Sequence, residues 1–324
     1  MRSLVRSFMC VAAVLASLGF PAASRAESVR LGWDASGAYA PWLYGHEKGI
    51  FKKHGLDTTL VYFDSGAKGI QGLIGGTVDI NAGDAAALMN AKFAGSDIVF
   101  VGATLSVLAG SVHTAKDIKS SAELKGKKWG ISSFGSEANL AARIALKSFG
   151  LAETDVTLVQ LGNQANRFAA LESGQIQVAT FLPPVLAKVE AAGYPKLASM
   201  PDLAPEYFSI GPAVNGRYLK EKRAVVKQFL TALGEATAAY KKDREGAVAV
   251  LQKYLKVDNP KDAEMAYDYY SRLHPYNLRP AAKAFDIHLA YSANPKAKTA
   301  TMADFTDFSI LDELDKEKYF DRFK

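Results

Sequence analysis

A βα pattern occurs twice in this chain, and the two copies keep one constant offset of 98 positions. Gly32, Gly37 and Phe51 recur as Gly130, Gly135 and Phe149. Leu73, Gly76, Val78 and Ile80 recur as Leu171, Gly174, Ile176 and Val178. Leu88 and Ala94-Gly95 recur as Leu186 and Ala192-Gly193. Shared glycines and aliphatic residues arising by chance would scatter the offsets. A duplicated α/β unit predicts two lobes with a cleft between them.

The local pattern fits that reading. Strands are expected at 28–33, 58–63, 78–82 and 98–103, alternating with helices at 39–53, 67–74 and 85–93. His54-Gly55 and Gly75-Gly76 supply helix stops. The series restarts with a helical turn at 121–126, strands at 128–132, 156–160, 176–180 and 196–199, and helices at 137–149, 165–171 and 185–192. Strands alternating with helices give a mostly parallel sheet covered on both faces. From Arg217 onward only helical periodicity remains, at 220–241, 244–255, 262–272 and 280–289, with short turns at 303–324. This tail is expected to pack on the first lobe. The chain then crosses between lobes near 105–115 and returns near 203–213, so that two crossovers form a hinge. The expected division is residues 27–108 with 210–324 as one lobe and 109–209 as the other.

Residues 1–26 have the layout of a secretory signal. Arg2 and Arg6 precede an apolar run from Phe8 to Phe20, shorter than the roughly 20 residues that span a bilayer. Ser24-Arg25-Ala26 places small residues for cleavage after Ala26. The single cysteine, Cys10, lies inside that signal behind Phe8-Met9, which is no lipoprotein box. The mature chain would carry no disulfide, thiol nucleophile or Cys-bound metal. A periplasmic location suits a disulfide-free exported protein of this size. The whole chain has net charge +6; the signal holds three Arg and no acid, so the remainder carries +3. Lys125, Lys127 and Lys128, and Lys220, Lys222 and Arg223, read as solvated faces and not as a nucleic-acid stripe.

Several segments together resemble one family. Glu47-Lys-Gly-Ile-Phe-Lys-Lys-His-Gly-Leu-Asp57 is similar to a segment of nitrate/sulfonate/taurine-type solute-binding proteins, a group that includes thiamine-pyrimidine-precursor binders. Ser65-Gly-Ala-Lys-Gly-Ile-Gln71 with Gly75-Gly-Thr-Val-Asp79 resembles its second βα turn and following strand. Leu124-Lys-Gly-Lys-Lys-Trp-Gly130, Ser133-Phe-Gly-Ser136 and Leu182-Pro-Pro184 continue the match, with Leu182 where many members have an acid. The resemblance covers roughly residues 28–255. It implies a type II periplasmic-binding-protein fold and delivery of a solute to the membrane subunits of an ABC permease, with the chain expected to be a monomer. It does not name the solute.

In open parallel sheets, ligands bind beyond the C-terminal strand ends. The loops there carry Trp33, Asp34 and Tyr39, then Ser65, then Asp84; in the second copy they carry Ser132, Ser133, Phe134 and Ser136, then Asn163, then Phe181. Ser132–Ser136 is the candidate oxyanion cradle, because hydroxyls and free N–H groups gather at a helix start. Plain N-capping by one of these serines is the competing reading. Trp33, Tyr39, Phe134 and Phe181 are candidate walls of an apolar slot, whereas Trp42 reads as core. Asp34 and Asp84 read as helix caps or as partners of a ligand N–H; if they face the cleft, a bare anion is disfavoured. Arg167 reads equally as a counter-ion or as a surface ion-pair partner. Sulfonates lead as ligands, followed by small aromatic acids and pyrimidines.

Catalytic signatures are missing. His46, His54, His113, His274 and His288 show no metal-ligand spacing. No nucleophile elbow, phosphate-binding loop or dinucleotide fingerprint occurs. Neither a cofactor nor a metal is expected. Tyr267, Tyr269, Tyr270 and Tyr276 fall at helical spacing and read as packing. Two competing functions stay open: an enzyme resembling the pyrimidine-precursor group, and a ligand-sensing subunit of a receptor.

Overall fold

The computed structural model describes residues 26–323 of the 324. The expected signal and Cys10 lie outside the described residues, Ala26 excepted. No described helix is long and apolar enough to cross a membrane.

The first copy runs β1 (Glu27–Asp34), α1 (Ala40–Glu47), α2 (Ile50–Lys53), β2 (Leu56–Phe63), α3 (Gly66–Ile74), β3 (Ile80–Asp84), α4 (Ala85–Phe93) and β4 (Ile98–Phe100). The second runs β5 (Ser111–Thr114), β6 (Lys128–Ile131), α5 (Glu137–Ser148), β7 (Thr157–Gln160), α6 (Gln164–Glu172), β8 (Val178–Phe181), α7 (Val185–Ala191), β9 (Lys196–Ser199) and α8 (Met200–Leu203). Then follow β10 (Ile210–Asn215), α9 (Gly216–Glu221), α10 (Arg223–Lys242), α11 (Arg244–Leu255), α12 (Pro260–Tyr270), α13 (Asp286–Tyr291) and α14 (Ser309–Lys316).

Two five-stranded sheets result, ordered β2-β1-β3-β10-β4 and β7-β6-β8-β5-β9. The duplicated strands β2-β1-β3 and β7-β6-β8 hold the same order and pair in parallel. Shifting α3 by 98 positions gives the bounds of α6. The recurring Gly32 and Gly130 are steric necessities. A Cβ on Gly32 would lie 2.1 Å from the Asn81 amide oxygen, and one on Gly130 would lie 2.5 Å from Ile176 Cδ1.

Three features depart from the sequence reading. The helix expected over 39–53 is broken, because Gly49 takes the left-handed conformation at φ 68° and separates α1 from α2. β5 and β10 occupy segments expected as crossovers, and each is antiparallel to its neighbours. Pro212 conceals β10, since proline seldom sits within a strand. It is tolerated here because β4 pairs only with Ala213–Asn215. The actual crossings lie at 101–110 and 200–209. They bond to each other: Ser209 N–H donates to Leu105 O at 3.0 Å.

The tail packs chiefly beside the first sheet, where α10 and α11 lie on α1. Phe229 anchors that layer between Trp42 (4.9 Å between ring centres) and Phe51 (5.3 Å, stacked). Tyr267 and Tyr270 are buried packing residues, as their spacing predicts. The tail also reaches the second sheet's core through Ile287 and Tyr291. Tyr269 OH accepts from Gly110 N–H at 3.1 Å and so ties the tail to the first crossing.

Gly32→Ala is expected to destabilise the fold by about 1–3 kcal/mol, the usual magnitude for an overpacked core. Thermal unfolding of the variant checks this; an unchanged midpoint would contradict the steric reading.

Candidate functional site

A cleft of about 710 Å³, counted with its space open to solvent, lies where the C-terminal strand ends of both sheets meet. The topology rule locates it, and the repeat supplies both walls. Asp34 ends β1 and Ser132 follows β6; Ser65 follows β2 and Asn163 follows β7; Asp84 ends β3 and Leu182 follows β8. Each pair is related by the 98-residue offset. Tyr39 also lines the cleft, and so does Glu137, its counterpart in the second copy.

Local capping positions most of these side chains. Ser65, Asp84, Ser136 and Asn163 accept from Lys68, Ala87, Asn139 and Asn166 N–H at the starts of α3, α4, α5 and α6. Capping and cleft lining are therefore compatible for Ser65, Asp84 and Asn163.

Other expected site residues lie outside the lining. Trp33 and Phe181 immediately neighbour lining residues, Asp34 and Thr180, on β1 and β8, and strand alternation turns them to the other face. Trp33 packs edge-on to Tyr62 and Tyr254, with ring centres 5.4 and 6.0 Å apart. Phe181 is fully buried among Leu171, Ile176 and Leu186. Phe134 is 60% exposed. Ser133 meets Ser65 across the seam, hydroxyl to hydroxyl at 3.3 Å.

The expected oxyanion cradle is already satisfied by the protein itself. Ser136 Oγ donates to Ser133 O at 2.7 Å and lies 2.8 Å from Ser132 Oγ. Phe134 N–H donates to Gln160 Oε1, and Gly135 N–H to Asn139 Oδ1. Glu137 N–H, at the start of α5, donates to Asp84 Oδ2 at 2.7 Å from the opposite sheet. Asp84 Oδ1 accepts from Ala87 N–H at 3.0 Å. A carboxylate of the first copy thus fills the place that the second copy's turn seemed to offer an anion.

The cleft is acidic. Asp34, Asp64, Asp84 and Glu137 line it, against Arg167 as the single Lys or Arg among the described lining residues. Sequence reasoning weighed Arg167 evenly and missed Asp64 and Glu137 as lining groups. Nothing in the periodicity marks Glu137, which reads as an ordinary first-turn acid. Arg167 is 4% exposed and makes no ion pair; its Nη1 donates to Thr180 O at 2.9 Å and its Nε has no partner. Asp64 Oδ1 and Thr180 Oγ1, also lining, are likewise unpartnered.

Burial pushes the Asp34 carboxyl up to about 7, although Tyr39 OH donates to its Oδ2 at 3.1 Å. Burial raises Asp84 as well, against the backbone donors of Glu137, Ala87 and Ala86. Glu137 is pushed up by burial and then by the charge of Asp84, so it holds a proton to higher pH than an ordinary glutamate. Burial lowers Arg167 to about 10, offset by the charge of Asp34. Among the described residues no cluster of His, Cys, Asp and Glu suits a metal ion. His46 pairs with Thr58 and His54 with Glu235, both half-buried, and neither lines the cleft.

These shifts fix a sign. Between the ordinary value of 3.8 and about 7, folded Asp34 keeps a proton that the unfolded chain releases. Folding stability therefore falls as pH rises through that window. Buried His274 and His288, lowered to about 4 from 6.5, act oppositely below pH 6.5. Above 6.5 the histidine effect dies away within about one pH unit and the acids dominate. Through Asp34 alone, the unliganded protein is expected to lose about 1 kcal/mol between pH 6.5 and 8.5. Asp34→Asn should flatten the decline, and a melting temperature that rises over this range would contradict the assignment.

Comparison with known proteins agrees with the fold. Residues 37–247 match the family described as NMT1/THI5 like. A Brucella abortus protein named as a binding protein is 27% identical over 215 residues, covering 65% of this chain and 66% of its own length. An Escherichia coli protein named as an aliphatic sulfonates-binding protein is 24% identical over 269 residues, 80% of this chain and 82% of that one. Among solved structures, the alkanesulfonate-binding protein SsuA of Xanthomonas axonopodis pv. citri, bound to MOPS, superposes with TM-score 0.70 at 19% identity. That superposition covers 88% of this chain and 96% of SsuA. All three carry the names of binding proteins rather than enzymes. The chain belongs to the NMT1/THI5-like family and has the fold of the periplasmic binding proteins.

Proposed function

We propose that this chain is the periplasmic receptor of an ABC importer, exported by a signal cleaved after Ala26. Residues 27–108 with 210–324 form one lobe, and 109–209 form the other. The lobes close over a small solute, which the monomeric receptor hands to the permease membrane subunits. The solute carries N–H donors on one edge and a carbonyl or oxyanion acceptor on another. Asp34 and Asp64 take the donors, and Arg167 takes the acceptor.

One observation carries this reading. Buried Arg167 Nε, Asp64 Oδ1 and Thr180 Oγ1 line the same cleft without partners. Buried polar groups in folded proteins are normally hydrogen-bonded. A donor–acceptor solute would satisfy all three at once. Aminopyrimidines, small amides and zwitterions have that chemistry. Simple sulfonates lack the donors, and the acid excess of the cleft opposes them. The sulfonate names of two relatives favour the other reading, and a ligand panel separates the two.

A thermal-shift panel should include aminopyrimidines, amides, zwitterions and alkanesulfonates. An N–H-bearing solute at about 100 times its Kd is expected to add roughly 2.7 kcal/mol. Arg167→Gln should weaken the same solute about 10–100-fold, the loss typical of one charge-assisted hydrogen bond. A shift from alkanesulfonates alone would overturn the assignment of Asp34 and Asp64.

A further inference from the structure

We infer that Asp84 is the specificity-determining residue of the cleft: its carboxylate is a built-in anion that occupies the α5 N-terminus and so excludes simple oxyanion solutes, those that bring no N–H donor. The inference rests on the cleft being the solute site, as proposed above.

Three helix starts meet at this side chain. Asp84 caps its own helix α4 through Ala87 N–H and the opposite helix α5 through Glu137 N–H. α3 begins against it as well. A Cβ on Gly66, the first residue of α3, would lie 2.4 Å from Asp84 Cβ and 2.6 Å from Oδ2. α3 and α4 have nine residues each and α5 has twelve, so each end carries a developed partial positive charge. Converging helix N-termini with free N–H groups form an anion site. Arg167, buried and with Nε unpartnered, lines the same cleft and adds a full positive charge. The cleft thus holds the elements of an oxyanion site, and the protein supplies the anion.

An incoming sulfonate would have to displace Asp84 from Glu137 N–H and then lie beside its charge. Like charges at contact distance in a partly buried site repel strongly. A solute that donates hydrogen bonds meets no such conflict. The second copy shows the contrast: position 182, which corresponds to Asp84, is a leucine.

Asp84→Ser removes the carboxylate and keeps a hydroxyl cap for α4. Asp64→Asn removes the same charge from the cleft without opening a helix start, and serves as the control. Calorimetric titration with sulfate and with methanesulfonate would compare both variants with the unaltered protein, each also titrated with the solute panel above. Asp84→Ser is expected to bind these anions at least tenfold more tightly than the unaltered protein, and Asp64→Asn is expected to gain clearly less. Circular dichroism and thermal melting establish that the variants are folded. A folded Asp84→Ser protein without the gain overturns the inference, as does an equal gain in Asp64→Asn. Tight methanesulfonate binding by the unaltered protein overturns this inference and the proposed solute class together. The gain in Asp84→Ser with no panel solute bound by the unaltered protein supports the inference and defeats only the proposed solute class.

Discussion

The carboxylate of Asp84 joins the two sheets at the cleft, and much of the surrounding structure is arranged around it. A carboxylate can accept several hydrogen bonds, and here the two oxygens divide the work. Oδ1 serves the helix that follows β3, and Oδ2 serves the helix that follows β6. The contact dictates composition nearby. Position 66 is glycine because any side chain would overlap Asp84. Glu137 keeps its proton upward of the ordinary range because it is buried and because Asp84 is charged beside it. Removing a carboxylate from water is costly unless donors replace the water, and the helix starts are those donors.

The same contact shapes the electrostatics. Four acids against one arginine is an unfavourable set of charges to bury together. The cleft tolerates it in three ways: Asp84 is bound by backbone donors, Glu137 holds a proton, and Asp34 titrates near neutrality. Asp64 is partly neutralised by Lys68, four residues along α3, at 2.7 Å. Arg167 is left with one carbonyl and an idle Nε. Such a site is poised for a partner that brings both donors and acceptors.

Much of this was legible in the residues, and the failures have physical causes. The repeat predicted the two lobes and the loops that build the cleft. Helix 85–93 and strand 196–199 were read to the residue, because their apolar runs end at unambiguous turns. β10 was hidden by Pro212, and β5 by having only four residues. Tyr39 lines the cleft, whereas Trp33 and Phe181 miss it for one reason: a loop position says which end of a strand a residue occupies, but alternation decides its face. Trp33 and Asp34 are adjacent, and only the second lines the cleft. The Ser132–Ser136 turn was recognised correctly as a helix start. The partner of that start came from a residue 53 positions earlier, on the other sheet, and no local pattern reports such a contact.

Duplication explains how one fold can hold so asymmetric a cleft. The 98-residue offset places equivalent positions opposite each other, so each substitution in one copy is met by its counterpart across the gap. Asp34 corresponds to Ser132, Ser65 to Asn163, Tyr39 to Glu137 and Asp84 to Leu182. Backbone requirements hold both copies alike where strands and helices pack, as at Gly32 and Gly130. Positions at the strand ends escape that requirement and are free to diverge. The first copy has accumulated carboxylates there. The second keeps hydroxyl and amide groups, and it places Arg167 where the first copy has Gly69, a residue whose Cβ would strike Asn81 at 2.9 Å. An arginine was therefore sterically possible in only one copy. The polarity of the cleft, three of its four acids on one wall and its cation on the other, follows from packing beneath the site as much as from the ligand above it.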